Sequence, residues 1–391
     1  MSINQAHKPV ADEKPFEGNL PFIDLKAQQA LIVDKVQKRI EAVLAHGKYI
    51  MGPEVTELEK QLASYTGSKH VVTCSSGTDA VWLPMLAMGI GPGDAVFIPS
   101  FTFTATAEAV ALTGASPVFV DVNTGSFNMC VESLARSIDH VKNKTDLTPR
   151  AIIAVDLFGL PADYEEIASI ADEHDLTVVA DAAQSFGGSI NGKKVGSLAS
   201  YTATSFFPAK PLGCYGDGGA IFVDDDEAVE ILRSLRIHGR GTGGKYDNVR
   251  VGTNARLDTI QAAVLLEKMV IFPDEVEARQ KIANIYGDGL KDIVKTPSIP
   301  NGYTSAWAQY TLQSPKRDDI IASLKECGIP VQVYYPRPLH MQGPYLDYPL
   351  DPSGLNNTEQ LAGNVFSLPM HPYLQPEVQH YIIAQIKRAL S

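Results

Sequence analysis

The sequence predicts an α/β protein: a mostly parallel central sheet flanked by helices, followed by a smaller C-terminal α+β unit. Three observations lead there. From Val71 onward, short β-rich runs at 95–99, 116–120, 151–155, 177–180 and 220–223 alternate with helical stretches, the pattern of a parallel sheet covered on both faces. A helical stretch over 257–290 separates that alternation from the C-terminal part. Finally, 391 residues exceed one ordinary domain, and a 45% hydrophobic content supplies a large core.

In chain order, residues 1–20 are polar and proline-containing and read as a flexible tail. A large unit over 21–256 and a linking helix with a small unit over 257–391 follow. Helix-period spacing of Ile32, Val33, Val36, Ile40, Val43 and Leu44 predicts an N-terminal helix, and Val55, Leu58 and Leu62 predict another. The run from Val71 to Ala80 supplies a strand, the small-residue turn Ser75-Ser76-Gly77, and a helix start at Thr78. Helix N-termini bind anions through unsatisfied N–H groups and the macrodipole, which makes Gly77 and Thr78 a candidate phosphate cradle. Ordinary capping explains the same residues.

The strand over 177–180 runs into Asp181, at the strand end where open α/β sheets bind ligands. A lone aspartate there is also a common helix N-cap or turn former. Downstream, Lys210 sits in Ser205-Phe206-Phe207-Pro208-Ala209-Lys210-Pro211-Leu212-Gly213, with no charged partner in the run. Most lysines are solvated surface groups. Desolvation among small and aromatic neighbours lowers the pKa of a lysine and frees its amine to form an imine with a carbonyl. Paired with Asp181, such a lysine fits pyridoxal 5′-phosphate (PLP), whose pyridinium nitrogen takes a carboxylate partner. Ser205 adds a hydroxyl five residues before Lys210, and Phe103 is placed to cover one ring face or to fill the core.

Other function classes recede. A net charge of −12 with no concentrated basic surface argues against nucleic-acid binding. The cysteines Cys74, Cys130, Cys214 and Cys327 are scattered, with no metal-ligand spacing to the histidines, and read as reduced thiols. Without a signal-like or bilayer-length apolar stretch, the expectation is a cytoplasmic protein. Arg240-Gly241-Thr242-Gly243-Gly244-Lys245 lacks the Walker spacing and follows a predicted helix, so it reads as a flexible loop able to close over a large substrate. Arg240 and Arg256 are candidate cations for a diphosphate or carboxylate.

Several motifs in order carry a resemblance from about Phe22 to the C-terminus. They are Gly52-Pro53-Glu54-Val55, Ser76-Gly77-Thr78-Asp79-Ala80, Asp181-Ala182-Ala183-Gln184-Ser185, the Lys210 run with Tyr215-Gly216-Asp217-Gly218-Gly219, and the run from Asn254 through Arg256 to Ala263. On these motifs the chain resembles the DegT/StrS-type nucleotide-sugar aminotransferases, PLP enzymes of fold type I. The resemblance implies that Lys210 forms the imine with PLP and serves as proton shuttle, and that the cofactor alternates between PLP and a pyridoxamine phosphate form. It further implies that Asp181 pairs with the pyridine nitrogen, that Gln184 lies against the ring or its 3-hydroxyl, and that Gly77, Thr78 and Ser205 hold the phosphate. Asn254 would reach the phosphate site of a second subunit in a homodimer, or cap the following helix, two compatible roles.

Tyr334-Tyr335-Pro336-Arg337 matches a family segment lining the sugar site. The runs Cys214–Phe222 and Ser367–Leu374 look most like the subgroup acting on UDP-2-acetamido-2-deoxy-3-oxo-D-glucuronate, in which histidine is expected where Tyr334 stands. The implied reaction moves an amino group from L-glutamate to C3 of that UDP-sugar, for surface-polysaccharide synthesis. Alternatives are C4 amination of a UDP- or dTDP-4-keto-6-deoxy sugar and a non-catalytic regulator. Related sugar 3-dehydratases carry histidine at the lysine position, so Lys210 argues against that reaction.

Overall fold

A computed structural model of the chain describes residues 14–244 and 246–391; most of the expected N-terminal tail, and Lys245 of the glycine loop, lie outside the described residues. The central sheet contains β1 (His70–Cys74), β2 (Asp94–Pro99), β3 (Ser116–Val120), β4 (Thr148–Val155) and β5 (Thr177–Asp181). After a small hairpin of β6 (Ser189–Ile190) and β7 (Lys193–Lys194), the sheet is completed by β8 (Tyr201–Ser205) and β9 (Gly219–Val223). Its order is β1-β9-β8-β5-β4-β2-β3. Neighbours run parallel except at β9, which is antiparallel to both β1 and β8.

Central β8 is missing from the β-rich runs of the sequence. Tyr201-Thr202-Ala203-Thr204-Ser205 has no aliphatic side chain larger than alanine, yet Thr202 to Ser205 are all buried between β5 and β9. Threonine's branched Cβ suits a pleated strand, and here neighbours supply the burial that sequence hydrophobicity does not announce.

Helices cover both faces. The first, α1 (Leu25–His46), starts at Asp24, whose side chain accepts from Ala27 N at 2.9 Å, and stops at Gly47 in the left-handed region. Of its predicted apolar stripe, Ile32, Val36 and Val43 are buried, while Val33 and Leu44 are 43% and 54% exposed. They face outward along a groove that also includes Tyr215. Next come α2 (Pro53–Thr66), α3 (Gly77–Ala87), α4 (Ala105–Ala111), α5 (Val131–Lys144), α6 (Tyr164–Glu173) and α7 (Asp226–Leu235).

The long α8 (Thr259–Leu290) packs α1 and α2 along its first half. Its second half enters another core, in which Tyr286 and Leu290 meet side chains from β11 (Tyr310–Gln313), α9 (Arg317–Glu326), β12 (Val365–Leu368) and α11 (Pro376–Leu390). Strands β11 and β12 pair antiparallel, β10 (Tyr303–Thr304) joins β6, and α10 (Asn356–Asn364) precedes β12. Phe16 and Leu20, from the described part of the expected tail, pack on this second core, with the Phe16 ring edge-on to Tyr381 at 6.0 Å. Among the described residues no helix is long and apolar enough to cross a membrane.

Candidate active site

The strands β1, β2, β4, β5 and β8 share one direction, so their C-terminal ends open on one edge of the sheet. Asp181, the last residue of β5, is buried there. The Thr106 hydroxyl donates to Asp181 Oδ2 at 2.8 Å, and Ala183 N donates to Oδ1 at 3.3 Å. A turn rather than a helix follows, so the capping role open to a strand-end aspartate does not apply. Burial pushes the Asp181 carboxyl above its ordinary range, opposed by these two hydrogen bonds and by the charge of Lys210.

Lys210 occupies the turn between β8 and β9, with its amide donating to Phe207 O at 2.9 Å. Burial lowers its amine below the usual lysine value, while Asp181 acts in the opposite direction. The two groups, 29 positions apart in sequence, thus feel each other's charge at one sheet edge.

Beside them stands the first turn of α3. Its N-cap Ser76 is extended and accepts from Asp79 N at 3.1 Å, while the Asp79 carboxylate takes the hydroxyls of Ser75 and Ser76. A Cβ at Gly77 would lie 2.6 Å from Ser205 Cβ and 2.8 Å from Ser205 Oγ, and one at Gly219 would collide with Ser76 O. These two glycines therefore let the helix start sit directly on the ends of β8 and β9. First-turn amides such as those of Gly77 and Thr78 have no intrahelical acceptor, and the helix dipole favours an anion beside them. Ser205 Oγ, which accepts from Phe207 N at 3.3 Å, joins the same cradle.

An aromatic wall completes the edge. Gln184 is buried, accepting from Phe158 N at 2.7 Å through Oε1 and donating to the Tyr335 hydroxyl at 3.3 Å through Nε2. Burial raises the Tyr335 hydroxyl well above the ordinary tyrosine value. Phe101 and Phe103 flank Tyr335 with ring centroids 6.2 and 6.4 Å away, and Phe103 is 54% exposed on the open side. Half-buried Tyr334 lies between the rings of Phe22 and Tyr335 at 6.3 and 5.8 Å.

Among the described residues, none of the remaining sequence candidates is hydrogen-bonded to this group. Arg240 and Asn254 are exposed on the segment between α7 and α8, and their recorded backbone pairing stays within it. Helix α8 begins at Thr259 behind Asp258, so Asn254 is not its N-cap. Asn254 instead bridges Ile237. The glycine loop, read from the sequence as a flexible loop, is a paired return in which Arg240 bridges Asn248, Gly241 N donates to Asp247 O at 2.7 Å, and Gly243 N donates to the Asp247 carboxylate at 2.8 Å. Arg256 is half-buried, with its Nε buried and lacking a hydrogen-bond partner.

Sequence reasoning missed two polar residues at this edge, Thr106 beside Asp181 and the fully buried Asp156 just after β4. A signal existed for Asp156: Ile153-Ala154-Val155-Asp156 repeats the pattern of an apolar strand running into a carboxylate that singled out Asp181. Thr106 carried no such mark, because its meeting with Asp181 spans 75 residues.

The sequence pattern described as the DegT/DnrJ/EryC1/StrS aminotransferase family matches residues 31–387. The chain belongs to that family. It is 47% identical over 358 residues to the UDP-2-acetamido-2-deoxy-3-oxo-D-glucuronate aminotransferase of Pseudomonas aeruginosa, a match covering 91% of this chain and 96% of that protein. A crystal structure of a DegT DnrJ EryC1 StrS aminotransferase from Brucella abortus superposes with a TM-score of 0.94 at 52% identity, covering 95% of this chain and 99% of that one. A Bacillus subtilis protein, NtdA, solved with bound pyridoxamine phosphate, gives 0.88 at 28% identity, covering 97% and 87%.

This aminotransferase uses pyridoxal 5′-phosphate. The donor set fits that group: an amine lowered by burial, a buried carboxylate facing it, and a helix start brought against Ser205 where a Cβ would fill the gap.

Proposed function

We propose that this aminotransferase transfers the amino group of L-glutamate to C3 of UDP-2-acetamido-2-deoxy-3-oxo-D-glucuronate. The pairing of Lys210 with Asp181 beside the Gly77 and Ser205 cradle carries the chemistry. The substrate rests on the 47% identity to the Pseudomonas aeruginosa enzyme along nearly the whole of both chains.

When bound, the cofactor supplies an electron sink for the pair of electrons left when a Cα proton departs. In this reading Lys210 would hold it through its amine and, once freed by the donor amine, would serve as the base that moves the proton taken from the donor Cα. Asp181 stays charged and keeps the pyridine nitrogen protonated. Gly77, Thr78 and Ser205 would hold the phosphate, Gln184 would lie against the ring, and Phe103 would cover its open face. The ketone oxygen of the sugar leaves as water in the second half, and glutamate becomes 2-oxoglutarate in the first.

Arg240 and Arg256 take the anionic groups of the sugar nucleotide, and Tyr334 and Tyr335 line the sugar. A homodimer is part of this reading: Asn254 of one copy reaches the phosphate site of the other. Exposed Leu31, Val33 and Leu44 on α1, with Val249 and Val251 beside Asn254, support an apolar surface for that contact. The product suits a precursor of surface polysaccharide, made in the cytoplasm where nucleotide sugars are available.

Purified enzyme with glutamate, offered UDP-3-oxo and UDP-4-oxo sugars side by side, tests the substrate. Amination of the 3-oxo uronate is expected; turnover of a 4-oxo sugar alone overturns the choice.

A further inference from the structure

The turns that follow β4 and β5 are tied together by Asp156, which has no part in the chemistry above. Its carboxylate is fully buried and accepts three hydrogen bonds: from Ser185 Oγ at 2.5 Å, from the Tyr164 hydroxyl at 2.7 Å and from Ala162 N at 2.8 Å. Its own amide donates to Asp181 O at 3.1 Å. Two residues on, the Phe158 amide donates to Gln184 Oε1 at 2.7 Å. Phe158 holds a left-handed backbone with φ of 60°, uncommon for a bulky side chain, and this aims its amide at Gln184.

The Ala162 amide can only donate, and a carboxylate oxygen meets it without a competing hydrogen, while the Ser185 and Tyr164 hydroxyls rotate to donate to the same group. Burying a carboxylate is costly even when hydrogen-bonded, and burial holds Asp156 up at about 7, opposed by its three hydrogen bonds and reinforced by Asp181. An apolar residue would serve packing alone at lower cost. The carboxyl group sits where the backbone and side-chain bonds of the two turns meet.

We propose that Asp156 is a positioning residue for the transamination site, locking the segment that carries Asp181, Gln184 and Ser185 onto the turn after β4 so that the Asp181 and Gln184 side chains stay aimed at the cofactor. This rests on the site reading given under Proposed function.

Two substitutions separate positioning from general stability. Ser185→Ala cuts the bond from Asp156 to the cofactor-bearing turn; Tyr164→Phe removes one bond to the same carboxylate from its far side, on α6. Pyridoxal phosphate affinity is read by titrating apoprotein, the bound absorbance spectrum by spectrophotometry, and melting temperature alongside. Ser185→Ala should weaken cofactor binding about tenfold, the worth of one buried hydrogen bond, and shift the bound absorbance maximum. Tyr164→Phe should stay within about twofold of wild type even where its melting temperature falls as far. Wild-type affinity and spectrum in Ser185→Ala overturn the proposal, as do equal losses in both variants. Should wild type and Lys210→Ala titrate alike with no absorbance change, the site reading itself is wrong and this inference goes with it.

Discussion

Thr106 Oγ1 donates a 2.8 Å hydrogen bond to Asp181 Oδ2, joining the first turn of α4 to the end of β5. The bond offsets part of the desolvation that raises the Asp181 carboxyl, so it favours the charged form the proposed chemistry needs. Thr106→Val keeps the shape and removes the donor. We expect kcat to fall about tenfold, the worth of one buried hydrogen bond to a charged group, with Thr106→Ser recovering most of it. Full activity in Thr106→Val, measured in single-turnover assays, would show that the bond does not matter to Asp181.

Gly77 is a matter of space. A methyl group there meets Ser205 Cβ at 2.6 Å, and neither the helix start nor the end of β8 can yield freely. Gly77→Ala should cost stability by about 1–3 kcal/mol through overpacking and weaken cofactor binding at least as much. Calorimetry and cofactor titration check the two effects, and an unchanged dissociation constant would remove Gly77 from the phosphate cradle.

Subunit sharing has a direct test. In the proposed homodimer, the Lys210→Ala and Asn254→Ala proteins are each expected to be inactive or nearly so. Refolded together in equal amounts, half of the dimers are mixed and each mixed dimer regains one intact site, so about a quarter of wild-type activity should return. Were Asn254 to serve only its own subunit, mixing would restore nothing.

Lys268, buried on α8 with its amine 4.6 Å from the Tyr215 ring centroid, makes a prediction about pH. Burial lowers its pKa to about 8, against Glu275 and Cys214, which act to raise it. Its ordinary value is 10.5, so between about pH 8 and 10.5 the unfolded chain binds more protons and folding stability rises with pH. Below that window the folded state bears the whole cost, roughly 3 kcal/mol by linkage. Lys268→Met should therefore raise the melting temperature at pH 7, by a margin that narrows at pH 10. An equal margin at both pH values would contradict the linkage.

Local chemistry is legible in the sequence. The capped helix start at Ser76, the carboxylate ending the strand into Asp181 and the unusual setting of Lys210 depend on residues a few positions away, and each lies where its pattern implies. The outward half of the α1 stripe misleads, because Val33 and Leu44 have helix-period spacing but no partner within the chain. Strand β8 is hidden for the opposite reason: its burial comes from β5 and β9 rather than from its own side chains.

By itself the sequence determined the alternating α/β order and singled out the residues proposed for amine, carboxylate and phosphate-cradle chemistry, since propensity, capping and strand termination are short-range effects. Tertiary structure alone decided that Gly77 touches Ser205, that Thr106 meets Asp181 and that Asp156 ties two turns beneath Gln184. Those contacts depend on which strands become neighbours in the sheet, a non-local choice made by the packing of the whole core and written in no short run of residues.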